Sequence, residues 1–108
     1  MEDILSTGKF AILLHQGKGP EHYDLVLEGL NLCPTFQFDQ KELTTGQRIQ
    51  DHRKKYLNFE GLISPEKGTV GIIKTGTYKC ENNQIQLTSS KEQCFYCYDS
   101  KELLIKVK

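Results

Sequence analysis

The sequence predicts an all-β or mostly β fold, a small closed β-barrel with one or two short helical turns. Short apolar runs of β-branched and aromatic residues are punctuated by turn-forming residues about every eight to twelve positions, the spacing of a barrel or sandwich. Nine glycines and no tryptophan accompany that pattern, and no long stretch repeats with helical period. At 108 residues the chain makes one domain, 1–108, with one modest core. Closure answers the edge problem that so much strand creates in so small a domain.

The first strand is expected over residues 9–14, where Phe10, Ile12 and Leu14 alternate with no helix-start signal. Residues 16–21 are turn chemistry, with Gly17 and Gly19 free to take positive φ and Pro20 unable to join a ladder. Tyr23-Asp24-Leu25-Val26-Leu27 then alternates as a half-buried strand. Further strands are predicted at 32–38, 47–51, 57–63, 69–73, 77–80, 85–88, 93–98 and 103–107. Residues 39–45 invite a helical turn, and the basic segment 51–56 reads as a loop or short turn at a barrel mouth.

Charge narrows function without naming it. Fourteen basic residues balance fourteen acidic ones, so no global field selects nucleic acid or membrane, although a local patch is compatible with that total. Met1-Glu2-Asp3 is acidic where a secretory leader starts basic, and no apolar run follows. A cytoplasmic setting with reduced thiols is therefore expected for Cys33, Cys80, Cys94 and Cys97. Cys94 and Cys97 have the gap of a zinc half-site, but a second close pair is missing, so they are read as sheet residues.

The candidate chemistry lies around the first turn. Residues two apart on a strand project to one side, so His22, Asp24 and Val26 share a face opposite Tyr23, Leu25 and Leu27. A hairpin whose arms end at His15 and begin at His22 sets the imidazoles across from each other, with Asp24 beside them. Two nitrogens and a carboxylate suit Mn, Zn or Fe and leave positions open for water and substrate, the pattern of a catalytic rather than a structural metal.

An ordered set of segments carries a resemblance over roughly residues 9–78: Lys9-Phe10-Ala11-Ile12-Leu13-Leu14-His15, His22-Tyr23-Asp24-Leu25-Val26-Leu27-Glu28, Asp51-His52 with Tyr56, Phe59-Glu60-Gly61, Gly68-Thr69-Val70 and Gly76-Thr77-Tyr78. The chain resembles the 3′-phosphoesterase domain of bacterial and archaeal DNA ligase D, and most of all its compact, free-standing members. The resemblance implies a β-barrel whose polar mouth holds a divalent metal, Mn in that family, with Zn sharing the same ligands. It further implies His15, His22 and Asp24 as the ligands, and His52 and Tyr56 as the catalytic residues that contact the scissile phosphate.

One position departs from the ligase-borne pattern. Two residues beyond the aspartate those enzymes carry an arginine, a planar clamp for phosphate, and this chain has Val26. Arg53, Lys54 and Lys55 are the nearby cations expected to bind substrate in its place. The expected function is metal-dependent processing of DNA or RNA 3′ ends in repair, removing a 3′-phosphate or a 3′-terminal ribonucleoside. The partners would be nucleic-acid ends and a separate DNA ligase or polymerase, with no membrane. The alternative is a binding module of the same fold that has lost turnover, in which Val26→Arg is expected to restore some activity.

Overall fold

In a computed structural model, which describes residues 1–17, 19–99 and 101–106, the alternating segments close into a ring. The strands are β1 (Thr7–Gln16), β2 (His22–Leu27), β3 (Cys33–Phe38), β4 (Thr45–His52), β5 (Gly61–Ser64), β6 (Gly68–Glu81), β7 (Gln84–Ser89), β8 (Glu92–Asp99) and β9 (Glu102–Ile105). Hydrogen bonding runs β1-β2-β3-β4-β9-β8-β7-β6 and returns from β6 to β1, giving a closed eight-stranded antiparallel barrel. β5 is a ninth strand laid along the start of β6. A 3-10 turn, Lys54–Leu57, precedes it.

Alternation sorts the apolar residues into two clusters. Phe10 and Ile12 of β1, Leu25 and Leu27 of β2, and Phe36 and Phe38 of β3 meet Tyr78, Ile85, Leu87, Tyr96 and Leu103 from the far wall. These fill the barrel. The intervening positions Ala11, Leu13 and Val26 face outward, yet with Cys33 and Val70 they too are buried. Their cover is a roof formed by the 3-10 turn and the chain into β5, which lays Tyr56, Leu57, Phe59 and Ile63 on the outer wall. The Glu60 carboxylate ties the roof down by accepting the Ile72 amide at 2.8 Å.

Several boundaries differ from the sequence expectation for definite reasons. Residues 69–73 and 77–80 belong to the single strand β6, because Gly76 marks a close approach and not a turn. A Cβ there would stand 2.0 Å from the Thr88 carbonyl oxygen and 2.8 Å from the Phe10 ring. The expected strand 57–63 shrinks to β5, since Leu57 and Phe59 are spent on the roof. Residues 39–45 form no helical turn; the Leu43 amide bonds the Gln40 carbonyl at 3.0 Å with Leu43 at φ 54°. Lys18 of the first turn and Val107 of the last predicted strand lie outside the described residues. Among the described residues no helix is long and apolar enough to cross a membrane.

All four cysteines are free thiols. Cys94 packs toward the barrel core whereas Cys97 is exposed, because a separation of three on a strand puts two side chains on opposite faces. The two-residue gap therefore builds no zinc half-site.

Candidate metal centre

The hairpin places its ligands as direct partners. His15 pairs with His22 across β1 and β2, and Leu13 pairs with Asp24 one step further on. All four side chains share the outward face with Val26, opposite the barrel core. The site thus sits on the outer wall beside the roof, not in the barrel mouth as the resemblance implies. Candidate ligand atoms of His15, His22 and Asp24 lie within 4.8 Å of one another. Asp24 is 2% exposed, the most deeply buried of the three.

Hydrogen bonds on the far side of each ring set the tautomers. His15 Nε2 lies 2.6 Å from the Lys67 carbonyl oxygen and His22 Nδ1 lies 3.3 Å from that of Pro20. A carbonyl only accepts, so these nitrogens carry the protons. In the neutral rings His15 Nδ1 and His22 Nε2 then present lone pairs, and these two nitrogens are only 3.1 Å apart. Asp24 adds two more acceptors: Oδ2 is 3.9 Å from His15 Nδ1 and Oδ1 is 3.6 Å from His22 Nε2. Oδ1 is buried and has no hydrogen-bond donor among the described residues.

Converging lone pairs and a buried carboxylate oxygen without a donor are unfavourable. A divalent cation at their focus relieves both, and backbone carbonyls that orient the distal ring nitrogens are the usual outer support of such ligands. The donor set therefore fits the implied metal.

His52 approaches the same carboxylate from β4, with Nε2 3.6 Å from Asp24 Oδ2 and Nδ1 3.0 Å from the Gln50 carbonyl oxygen. Burial pulls this imidazole down, but the bond to Asp24, the bond to Gln50 and the charges of Asp24 and Asp51 outweigh it, leaving His52 above its ordinary 6.5. Tyr56 stands edge-on to the His52 ring, with centroids 5.5 Å apart. The strand end that carries His52 is anchored: Arg48 pairs with Asp51 at 3.4 Å and bonds the Glu2 carbonyl, while Asp51 accepts the Glu2 amide at 2.7 Å.

A cleft of about 590 Å³ opens between His15, Asp24 and His52 on one side and the roof and β5–β6 turn on the other. Arg53 and Lys55 line it, and Lys54 does not. Lys55 Nζ lies 5.1 Å from the Tyr56 ring centroid and 5.2 Å from that of Phe59, a cation held over aromatic faces. Val26 is fully buried beneath the roof, so an arginine there would have to displace packing before reaching substrate.

Three polar lining residues escaped the sequence reading, Gln50, Ser64 and Lys67. Ser64 Oγ accepts the Lys67 amide at 3.0 Å and shapes the turn that orients His15. A backbone carbonyl has no residue-type signal; only Gly68, immediately after it, hinted at a tight turn. No family model matches the chain, and no curated protein matches it.

Proposed function

We propose that this protein is a metal-dependent phosphoesterase. Within that class it acts as a 3′-phosphoesterase of the DNA ligase D type, working on DNA or RNA 3′ ends in repair together with a ligase or polymerase. The observation that carries the reading is the convergence of His15 Nδ1, His22 Nε2 and the unpartnered Asp24 Oδ1 beside a cleft lined by cations.

A divalent ion bound there, Mn in this proposal, would polarise a phosphoryl oxygen and lower the pKa of water. The chain's own residues supply the rest. His15 and His22 keep their lone pairs aimed inward because Lys67 and Pro20 hold the opposite nitrogens. Arg53 and Lys55 attract the phosphate and neutralise its charge. His52, raised above 6.5, holds a proton at Nε2 that it can pass to the leaving oxygen as water adds and the phosphorus–oxygen bond breaks. Tyr56 limits the swing of that ring and positions the phosphate.

The direct test is a labelled primer-template ending in a 3′-phosphate or a 3′-ribonucleotide, incubated with Mn. Loss of the terminal group by wild type and not by His22→Ala is the expected result. No product at high enzyme, or equal product from His22→Ala, refutes the proposal. The absence of a cation at Val26 favours a second reading, a module that binds nucleic-acid ends in a metal-dependent way without cleaving them. It predicts binding of the same substrates with no product.

A further inference from the structure

The candidate centre is flanked by two clefts of opposite character. The one of about 590 Å³ carries Arg53, Lys55 and Lys67, and among the described residues its one further carboxylate beyond Asp24, that of Asp51, is paired with Arg48. The other, about 630 Å³, shares His15, Asp24 and His52 but carries Glu21 and Asp39, with no lysine or arginine among the described residues of its lining. Both outer carboxylates are held in place: Glu21 accepts from Gln16 Nε2 at 2.7 Å, and Asp39 accepts from Gln37 Nε2 at 3.2 Å.

A phosphodiester chain is drawn to the first cleft and repelled by the second. Each phosphate beyond the reacting one would enter a space bounded by fixed negative charge, where like charges cost several-fold to tenfold in affinity each. An uncharged terminal nucleoside meets no such penalty, and its hydroxyls can donate to those carboxylates.

Resting on the phosphoesterase reading, we infer that Glu21 and Asp39 make the site specific for strand ends by excluding downstream phosphates, while Lys67 works with Arg53 and Lys55 to bind the strand on the upstream side. The polarity is built into opposite walls of one centre. The chain enters over the β5–β6 turn, and its end stops against the first hairpin and the end of β3.

The experiment compares a linear single strand of DNA ending in a 3′-ribonucleotide with the covalently closed circle of the same strand, equal in sequence and differing by the ends. Affinity is read by competition anisotropy in the presence of Mn, and cleavage is read in parallel. Wild type is expected to bind the linear strand about tenfold more tightly than the circle, and Glu21→Gln with Asp39→Asn is expected to close most of that gap by raising affinity for the circle. Lys67→Ala, whose carbonyl still meets His15, should weaken both strands alike and lower the salt slope by about one.

Equal binding of line and circle by wild type, or a gap unchanged in the double variant, overturns the inference. A wild type that prefers the linear strand yet cleaves nothing would count against the phosphoesterase reading and leave the end preference established.

Discussion

Gly68→Ala tests how the β5–β6 turn supports the centre. Gly68 has φ 83°, and a Cβ on it would stand 2.0 Å from the Gln16 carbonyl oxygen, a backbone atom of β1 that cannot swing aside. The left-handed backbone alone costs an alanine about 1–2 kcal/mol. Relieving the clash pushes the turn off β1 and breaks the Lys67 carbonyl bond to His15 Nε2, adding about 1 kcal/mol or more. A total of about 2–4 kcal/mol corresponds to a fall in Tm of roughly 10–20 °C for a domain of this size. Freed from its carbonyl, His15 can turn its lone pair away, and loss of such outer support typically costs about 10–100-fold in metal affinity. Gly19→Ala is the control, with φ 65° and nothing within 4 Å of the added carbon. Thermal melts and Mn titrations of both variants separate the two effects. If Gly68→Ala loses no more stability than Gly19→Ala and binds Mn like wild type, the turn does not orient His15 and the reasoning fails.

Val26→Arg should not restore activity. It places a guanidinium in a fully buried wall packed by Ala11, Leu13 and Val70 under an apolar roof, a loss of about 3–5 kcal/mol read by denaturant titration; a stable, more active variant would contradict this. His52→Ala should lower end-group cleavage about 100-fold or more while Mn affinity stays within about twofold, as befits a proton donor outside the ligand set. A parallel loss of Mn would make His52 a ligand. Tyr78 is 1% exposed and donates to the Glu28 carbonyl at 2.7 Å, and burial lifts its phenol to about 12. The unfolded phenol ionises near pH 10 and the folded one does not, so the Tyr78 contribution to stability should be constant below pH 10 and fall by about 1.4 kcal/mol per unit from there to pH 12, added to the alkaline falls from the likewise raised Cys33, Cys80 and Tyr96. Tyr78→Phe should blunt that fall, as seen in melts across the range; an unchanged alkaline slope would refute it.

The barrel was legible because alternation is a local property. Phe10, Ile12, Leu25 and Leu27 point inward by their spacing alone, and the same parity put His15, His22 and Asp24 on one face. What parity cannot reveal is which face a roof will cover. Val26 shares the ligand face by its spacing, yet it and Leu13 are covered by Tyr56, Leu57, Phe59 and Ile63, a segment thirty or more residues later in the chain. The break expected at Gly76 failed for a similar reason: glycine serves both turns and close approach, and only the Phe10 ring and the Thr88 carbonyl tell which. The basic run was half legible. Arg53 and Lys55 line the cleft, while Lys54 falls outside it in the 3-10 turn. Lys67 and the charge contrast of Glu21 and Asp39 were not visible, because they depend on turns meeting across strands.

We propose that His15, His22 and Asp24 hold a divalent ion. Mn added at about 100 times its Kd should stabilise the fold by about 2.7 kcal/mol, a rise in Tm of roughly 10–20 °C. Asp24→Asn, folded but lacking the carboxylate, should show almost none of that rise. A wild type whose melting point does not move with Mn or Zn, or an Asp24→Asn variant that moves as far, would contradict the account.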